Sequence, residues 1–173
     1  MPGALRTLLP GLLALALTGC FISSAPLIPA GTAEGVFDGR TSYVLSHLKF
    51  EGKKWVENKT GTVAPAGEGY LLDGDADSAF VVRKAFGDHY IAQQVNQGDY
   101  YYDLLRIEGD KVYVYGFACG DEDERNVELG LVDGFSGEGG NLRCNVSDFD
   151  KLVEVFKLRV DAGAQAETLY EIN

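Results

Sequence analysis

Gly-Asp pairs fall at positions 87–88, 98–99, 109–110 and 120–121, each eleven residues after the last. Glycine supplies a positive φ at no steric cost and aspartate tolerates the second place of a tight type II′ turn, so each pair signals a hairpin. The intervals His89–Gln97, Tyr100–Glu108 and Lys111–Cys119 are rich in Tyr, Val, Ile and Leu, and each is long enough for a full strand. The spacing predicts an antiparallel meander, with Ser78–Phe86 as the strand before it. An array of internal repeats would share the period. The side chains of successive units differ too much for that, and four short units do not build a solenoid.

Alternation within these strands is only partial. In Lys111–Cys119, Val112, Val114, Gly116 and Ala118 share one face, and Tyr113, Tyr115, Phe117 and Cys119 share the other. In Tyr100–Ile107 both faces again carry large apolar groups. A strand apolar on both sides is covered on both sides. The pattern predicts a curved sheet or partial barrel around a core, with a helix outside. That helix follows Ser147 as N-cap, with Asp150 closing a short capping box and Asp148 near the positive helix end. Its apolar stripe is Phe149, Leu152, Val153, Phe156 and Val160. Gly163 is the expected stop, and Thr168–Ile172 reads as a last strand. Earlier strands are expected at Gly35–Leu45, Trp55–Val63 and Gly69–Leu72. The fold class is therefore α+β: a mainly antiparallel meander packed with one C-terminal helix.

Ahead of this domain, Arg6 gives a positive start and Leu8–Leu17 forms a short apolar run, too short to span a bilayer. It ends in Leu17-Thr18-Gly19-Cys20, which resembles the lipobox of bacterial lipoproteins. The resemblance implies that residues 1–19 are a removed signal peptide and that Cys20 carries a diacylglyceryl group and usually a third acyl chain, palmitate being the usual label. Several chains hold a protein stably on a membrane where one would not. Phe21, where enteric-type lipoproteins retained in the inner membrane have Asp, implies the outer membrane, facing the periplasm. Residues 20–34 then read as the lipidated cysteine and a flexible tether with Pro26 and Pro29, and residues 35–173 as a single globular domain.

Arg6 is the only charge in the leader, so 26 acids remain against 14 bases and the mature formal charge is −12. Such a surface argues against nucleic acid and against electrostatic docking on anionic lipid. A cationic protein partner is compatible with it. Half of this charge lies between Gly120 and Glu138, led by Asp121, Glu122, Asp123 and Glu124. The run reads as a solvated loop or as a docking surface. Cys119 and Cys144 form an even pair in an oxidising compartment and predict a disulfide.

Other constellations carry less. Asp73, Asp75 and Asp77 have the opening spacing of a calcium loop, but Ser78 and Lys84 replace the required Gly and Glu, leaving a charged turn. Lys49, Lys53, Lys54 and Lys59 beside Trp55 read as a hairpin with a core tryptophan. Seven aromatics from Tyr90 to Phe117 either pack the sheet or line an apolar pocket. His47 and His89 lack a nucleophile signature, Gly134-Phe135-Ser136-Gly137-Glu138 lacks the second Gly of a nucleophile elbow, and the glycines at 137, 139 and 140 do not form a dinucleotide loop. No cofactor or metal motif is present. The expectation is a lipid-anchored envelope protein with a non-enzymatic binding or scaffolding role. Its rivals are a carrier of a small apolar ligand in a barrel and an inhibitor of a cationic enzyme such as lysozyme.

Overall fold

Three of the four Gly-Asp pairs lie at hairpins. In the computed structural model, which describes residues 20–37, 42–51, 54–120, 122–137 and 142–173 (side chains of 49–51, 58 and 59 apart), the turns at 87–88 and 109–110 are two-residue loops. Their glycines lead with φ of +53° and +61°, as a type II′ turn requires. The middle turn is shifted by one residue. Asn96 pairs with Asp99, so the loop is Gln97-Gly98, with φ of +53° and +93°. Positive φ at both places is the type I′ pattern, with glycine second. The fourth pair makes no hairpin, because Gly120 leads into a helix.

The strands are β1 (Phe21–Ser23), β2 (Tyr43–Glu51), β3 (Lys54–Ala66), β4 (Gly69–Leu72), β5 (Asp75–Phe86), β6 (His89–Asn96), β7 (Asp99–Glu108), β8 (Lys111–Tyr115), β9 (Gly134–Ser136), β10 (Arg143–Asn145) and β11 (Thr168–Ile172). The helices are α1 (Glu122–Glu128) and α2 (Phe149–Asp161). Strands β2 to β8 run as an up-and-down meander, and β11 pairs antiparallel with both β8 and β2. The result is a closed eight-stranded barrel, the finer form of the curved sheet expected from the sequence. Closure leaves no edge among these eight strands, the usual solution to exposed backbone donors and acceptors. The first barrel strand, β2, begins at Tyr43, not Gly35, and β8 stops at Tyr115. Residues 38–41 of the expected first strand lie outside the described residues.

Two cores follow from the two apolar faces. Inside the barrel, Tyr43, Leu45, Val63, Leu72, Val82, Leu105 and Tyr170 are buried together. Outside it, Phe21, Ile91, Tyr102, Leu104, Tyr115, Phe117, Leu152, Val155 and Phe156 form a second core beneath α2. Tyr102, Tyr115 and Phe117 of the aromatic run therefore pack outside the barrel. Trp55 is half-buried and stands at the β2–β3 hairpin, so it is not a core tryptophan.

Helix α2 starts one residue later than expected. Asp148 is its N-cap and accepts a bond from the Lys151 amide at 3.0 Å, the usual way to satisfy a free N–H of the first turn. At the other end the Gly163 amide donates to Val160 O and the Ala164 amide to Arg159 O, with Gly163 at φ +91°. This is a Schellman stop. Val155, missed in the predicted stripe, is fully buried, while Phe149, Val153 and Val160 are only partly covered.

The expected tether is not a tether: it lies on the domain as far as Glu34, whose amide donates to Val82 O at 2.8 Å. Strand β1 is laid antiparallel on the first half of β7, beside the stretch that pairs with β8, and β10 adds to it in parallel. Phe21 is fully buried and Ile28 nearly so. A buried polar cluster fixes the segment: the Ile28 amide donates to Gln93 Oε1 at 2.8 Å, the Leu27 amide donates to Tyr102 Oη at 3.1 Å, and Ser23 Oγ lies 2.6 Å from the same phenol. Phe21 and Ile28 are apolar enough to be drawn into the outer core, which α2 alone would leave open.

Candidate functional site

The sequence-derived site residues converge at one end of the outer core. Cys20, where the lipobox resemblance would put a lipid, is held by its own backbone. Its amide donates to Phe117 O at 3.4 Å, and its carbonyl accepts from the Cys144 amide at 2.7 Å. Phe21 enters β1 at once, and its ring meets Phe156 edge-on with centroids 5.1 Å apart. Cys144 is bonded to Cys119, so the expected disulfide ties the segment after β8 to β10 and, through β10, to β1. Bridging cysteines 25 residues apart stabilises by roughly 3–4 kcal/mol in the chain-entropy account.

The acidic run does not form a solvated loop. Asp121 lies outside the described residues, and Glu122–Glu128 is α1. Three acids in the first turn suit the positive helix end. Glu124 is exposed. Asp123 is fully buried and receives Arg159 Nη2 at 2.6 Å, the Gly120 amide at 3.0 Å and Asn126 Nδ2 at 2.9 Å. As a docking residue, Asp123 is therefore corrected to an internal tie. A carboxylate without water needs this number of charge-assisted bonds.

Arg159, in the last turn of α2, is the hub. It donates through Nη1 to Ala118 O at 2.9 Å and lies 3.5 Å from Glu122 Oε1. Its guanidinium stands 5.2 Å from the Phe21 ring centre and 5.1 Å from that of Phe117, within cation–π range. One side chain thus joins α2, α1, β1 and the segment after β8. An arginine beside a helix's apolar stripe was the available signal, but only the fold supplies its partners.

Between α1 and α2 runs an open groove of about 660 Å³, with Phe117, Arg125, Leu129, Leu158 and Ala162 among its walls. Leu129 and Leu158 are 59% and 46% exposed. The barrel interior is different. A wholly apolar cavity there holds about 40 Å³ and is lined by Phe37, Leu45, Val63, Phe80, Leu105 and Tyr170 among others. That is near the space of one water molecule and far below the several hundred Å³ of a small-molecule site. Asp103 is also buried, at 1% exposure. Burial first, and the Asp103 charge second, push the Tyr170 phenol far above its usual range. His47 stacks on Tyr170 with centroids 5.1 Å apart.

His89 lies on the outer side, stacked on Phe86 at 4.6 Å, with Nδ1 3.1 Å from Asp88 Oδ1. Burial lowers its pKa below the ordinary value, with Asp88 opposing the shift and Arg106 adding to it. Among the described residues, Cys119, Asp123 and Cys144 lie close enough to share a metal. The two sulfurs are bonded to each other and the carboxylate is held by Arg159, so this group offers no free ligand set. Asp73 caps the turn before β5 by accepting from the Thr62 amide at 2.6 Å, while Asp75 and Asp77 lie in β5 itself. Glu138 and the glycines at 139 and 140 lie outside the described residues, as does Lys53.

Among the described residues, no helix is long and apolar enough to cross a membrane. No family model, curated protein or solved structure matches this chain.

Proposed function

We propose that this is a lipid-anchored cell-envelope protein with a non-enzymatic binding or scaffolding role, held at the periplasmic face of the outer membrane. The observation that carries the reading is the fixed position of Cys20. The lipobox cysteine is the last residue before a strand buried in the fold, and its backbone bonds to Phe117 and Cys144. The disulfide beside it suits an oxidising compartment. The small size of the apolar cavity among the barrel residues, about 40 Å³, weighs against the carrier reading. Binding is therefore assigned to the outer surface. Among the described acids of the run, those still available to a cationic partner are Glu122 and Glu124, with Asp123 withdrawn into the fold.

The test is metabolic labelling with palmitate. The wild type should incorporate label and run at the processed size, while Cys20→Ala should accumulate as an unlabelled precursor. Label and processing that survive in Cys20→Ala overturn the anchor.

A further inference from the structure

From the groove between α1 and α2, we infer that this face is the membrane-contacting face of the domain, with Leu129 and Leu158 entering the apolar margin of the bilayer that holds the Cys20 lipid. The inference rests on the anchor reading above and specifies how the anchored domain stands.

Chain length between the lipid and the fold sets the orientation. A tethered lipoprotein can turn any face to the membrane, because each spacer residue adds up to ~3.5 Å of reach. Here there is no spacer. Cys20 is hydrogen-bonded to Phe117 and Cys144 and is followed at once by β1. Its lipid must therefore leave the protein at the surface of the outer core, and that surface must rest on the headgroups. Phe117, whose carbonyl receives the Cys20 amide, is also a wall of the groove. Arg159 lines the groove as well and stacks over both Phe21 and Phe117. The anchor and the groove thus share their walls.

Leu129 and Leu158 are two of the five large apolar residues most exposed among those described, and both belong to this groove. Exposed apolar side chains grouped in one concavity mark a contact surface, and a bilayer at that height covers them. Charge selects the lipid. The two bases of the groove, Arg125 and Arg159, are matched by Glu122 and by Asp123, which is bonded to Arg159, so the contact is apolar, suits zwitterionic headgroups and should be insensitive to salt.

The experiment uses the full-length lipoprotein purified from membranes and reconstituted in phosphatidylethanolamine–phosphatidylcholine vesicles. A polarity-sensitive fluorophore is placed in turn at Leu129→Cys, Leu158→Cys and Val44→Cys. Val44 is exposed on β2, which β11, β8 and β7 separate from β1 in the sheet order. Intact mass of the same samples reads the lipid on Cys20. The expected result is a blue shift at 129 and 158, with quenching by nitroxides carried on the lipid chains, no such effect at 44, and no change in high salt. Lipid present on Cys20 without quenching at 129 and 158 overturns the membrane face and leaves the anchor standing. Equal quenching at 44 overturns the fixed orientation. Absence of lipid on Cys20 overturns the anchor reading and this one with it. Shielding at 129 and 158 that disappears when the protein is diluted among vesicles means a second copy covers the groove, and also overturns the inference. Should a cysteine variant fail to fold, hydrogen exchange of the wild type decides instead. Amides of 122–129 and 158–164 should be protected in vesicles relative to the detergent-free mature chain made without residues 1–19 and carrying Cys20→Ser, and equal exchange overturns the proposal.

Discussion

Replacing Asp123 with alanine should destabilise the protein far more than replacing either neighbouring glutamate. The carboxylate is fully buried and accepts three bonds, from Arg159, Gly120 and Asn126. Its loss leaves the Arg159 guanidinium, only 13% exposed, without its closest counter-charge. Breaking a buried pair from one side costs about 3–5 kcal/mol. The partial exposure of Arg159 and its remaining bond to Ala118 O place the cost near the lower limit, at about 3 kcal/mol. For a chain of this size that corresponds to roughly 6–12 °C in Tm. Glu124→Ala, on the solvent side of the same helix, should change stability by no more than about 0.5 kcal/mol. Glu122→Gln loses one long, exposed contact at 3.5 Å and should stay below about 1 kcal/mol. Urea denaturation of the mature chain carrying Cys20→Ser, followed by circular dichroism with the disulfide intact, measures all three. The m-value should not change, because the folded state is the same. The double variant Asp123→Ala with Arg159→Met should cost less than the sum of its parts, since each single change strands a charge. If Asp123→Ala and Glu124→Ala shift the midpoint equally, the buried tie is wrong and the run is a uniform acidic surface.

Three further outcomes test the frame around the site. Phe21→Ala should destabilise by about 3–5 kcal/mol by opening a cavity beside Phe156, whereas a residue in a free tether would show no change in the same denaturation curve. Gly109→Val forces a β-branched residue to φ +61° and should cost about 1–3 kcal/mol, although nothing crowds the new side chain; a thermal melt equal to wild type would refute the turn. The lowered pKa of His89 makes the unfolded chain bind a proton more readily than the folded one below pH 6.5. Stability should therefore fall as pH drops from the unfolded value through the lower folded one. The slope between pH 7 and 5 should flatten in His89→Gln, and an unchanged slope would show that His89 does not contribute it.

The eleven-residue rhythm carried most of the barrel because hairpin turns are local events. Two-residue loops with glycine at a positive φ can be read from adjacent residues, and the strands between them follow. Helix α2, with its stripe and its Gly163 stop, and strands β4 and β11 were legible for the same reason. The disulfide followed from parity and from the oxidising compartment that the lipobox resemblance implies, with no geometry needed. What failed was whatever depended on distant partners. Phe21 and Ile22 look like linker until β7 offers them an edge and Phe156 a ring. The four acids from Asp121 are equivalent on paper, and only the approach of Arg159, 36 residues on, withdraws Asp123 into the fold. Closure of the barrel was likewise undetermined locally, since β11 must return across α1, β9, β10 and α2 to pair with β2. Local backbone chemistry chooses turns and strands; burial, which depends on the whole chain's packing, decided which charges are buried and whether Cys20 stands free or is fixed against the domain.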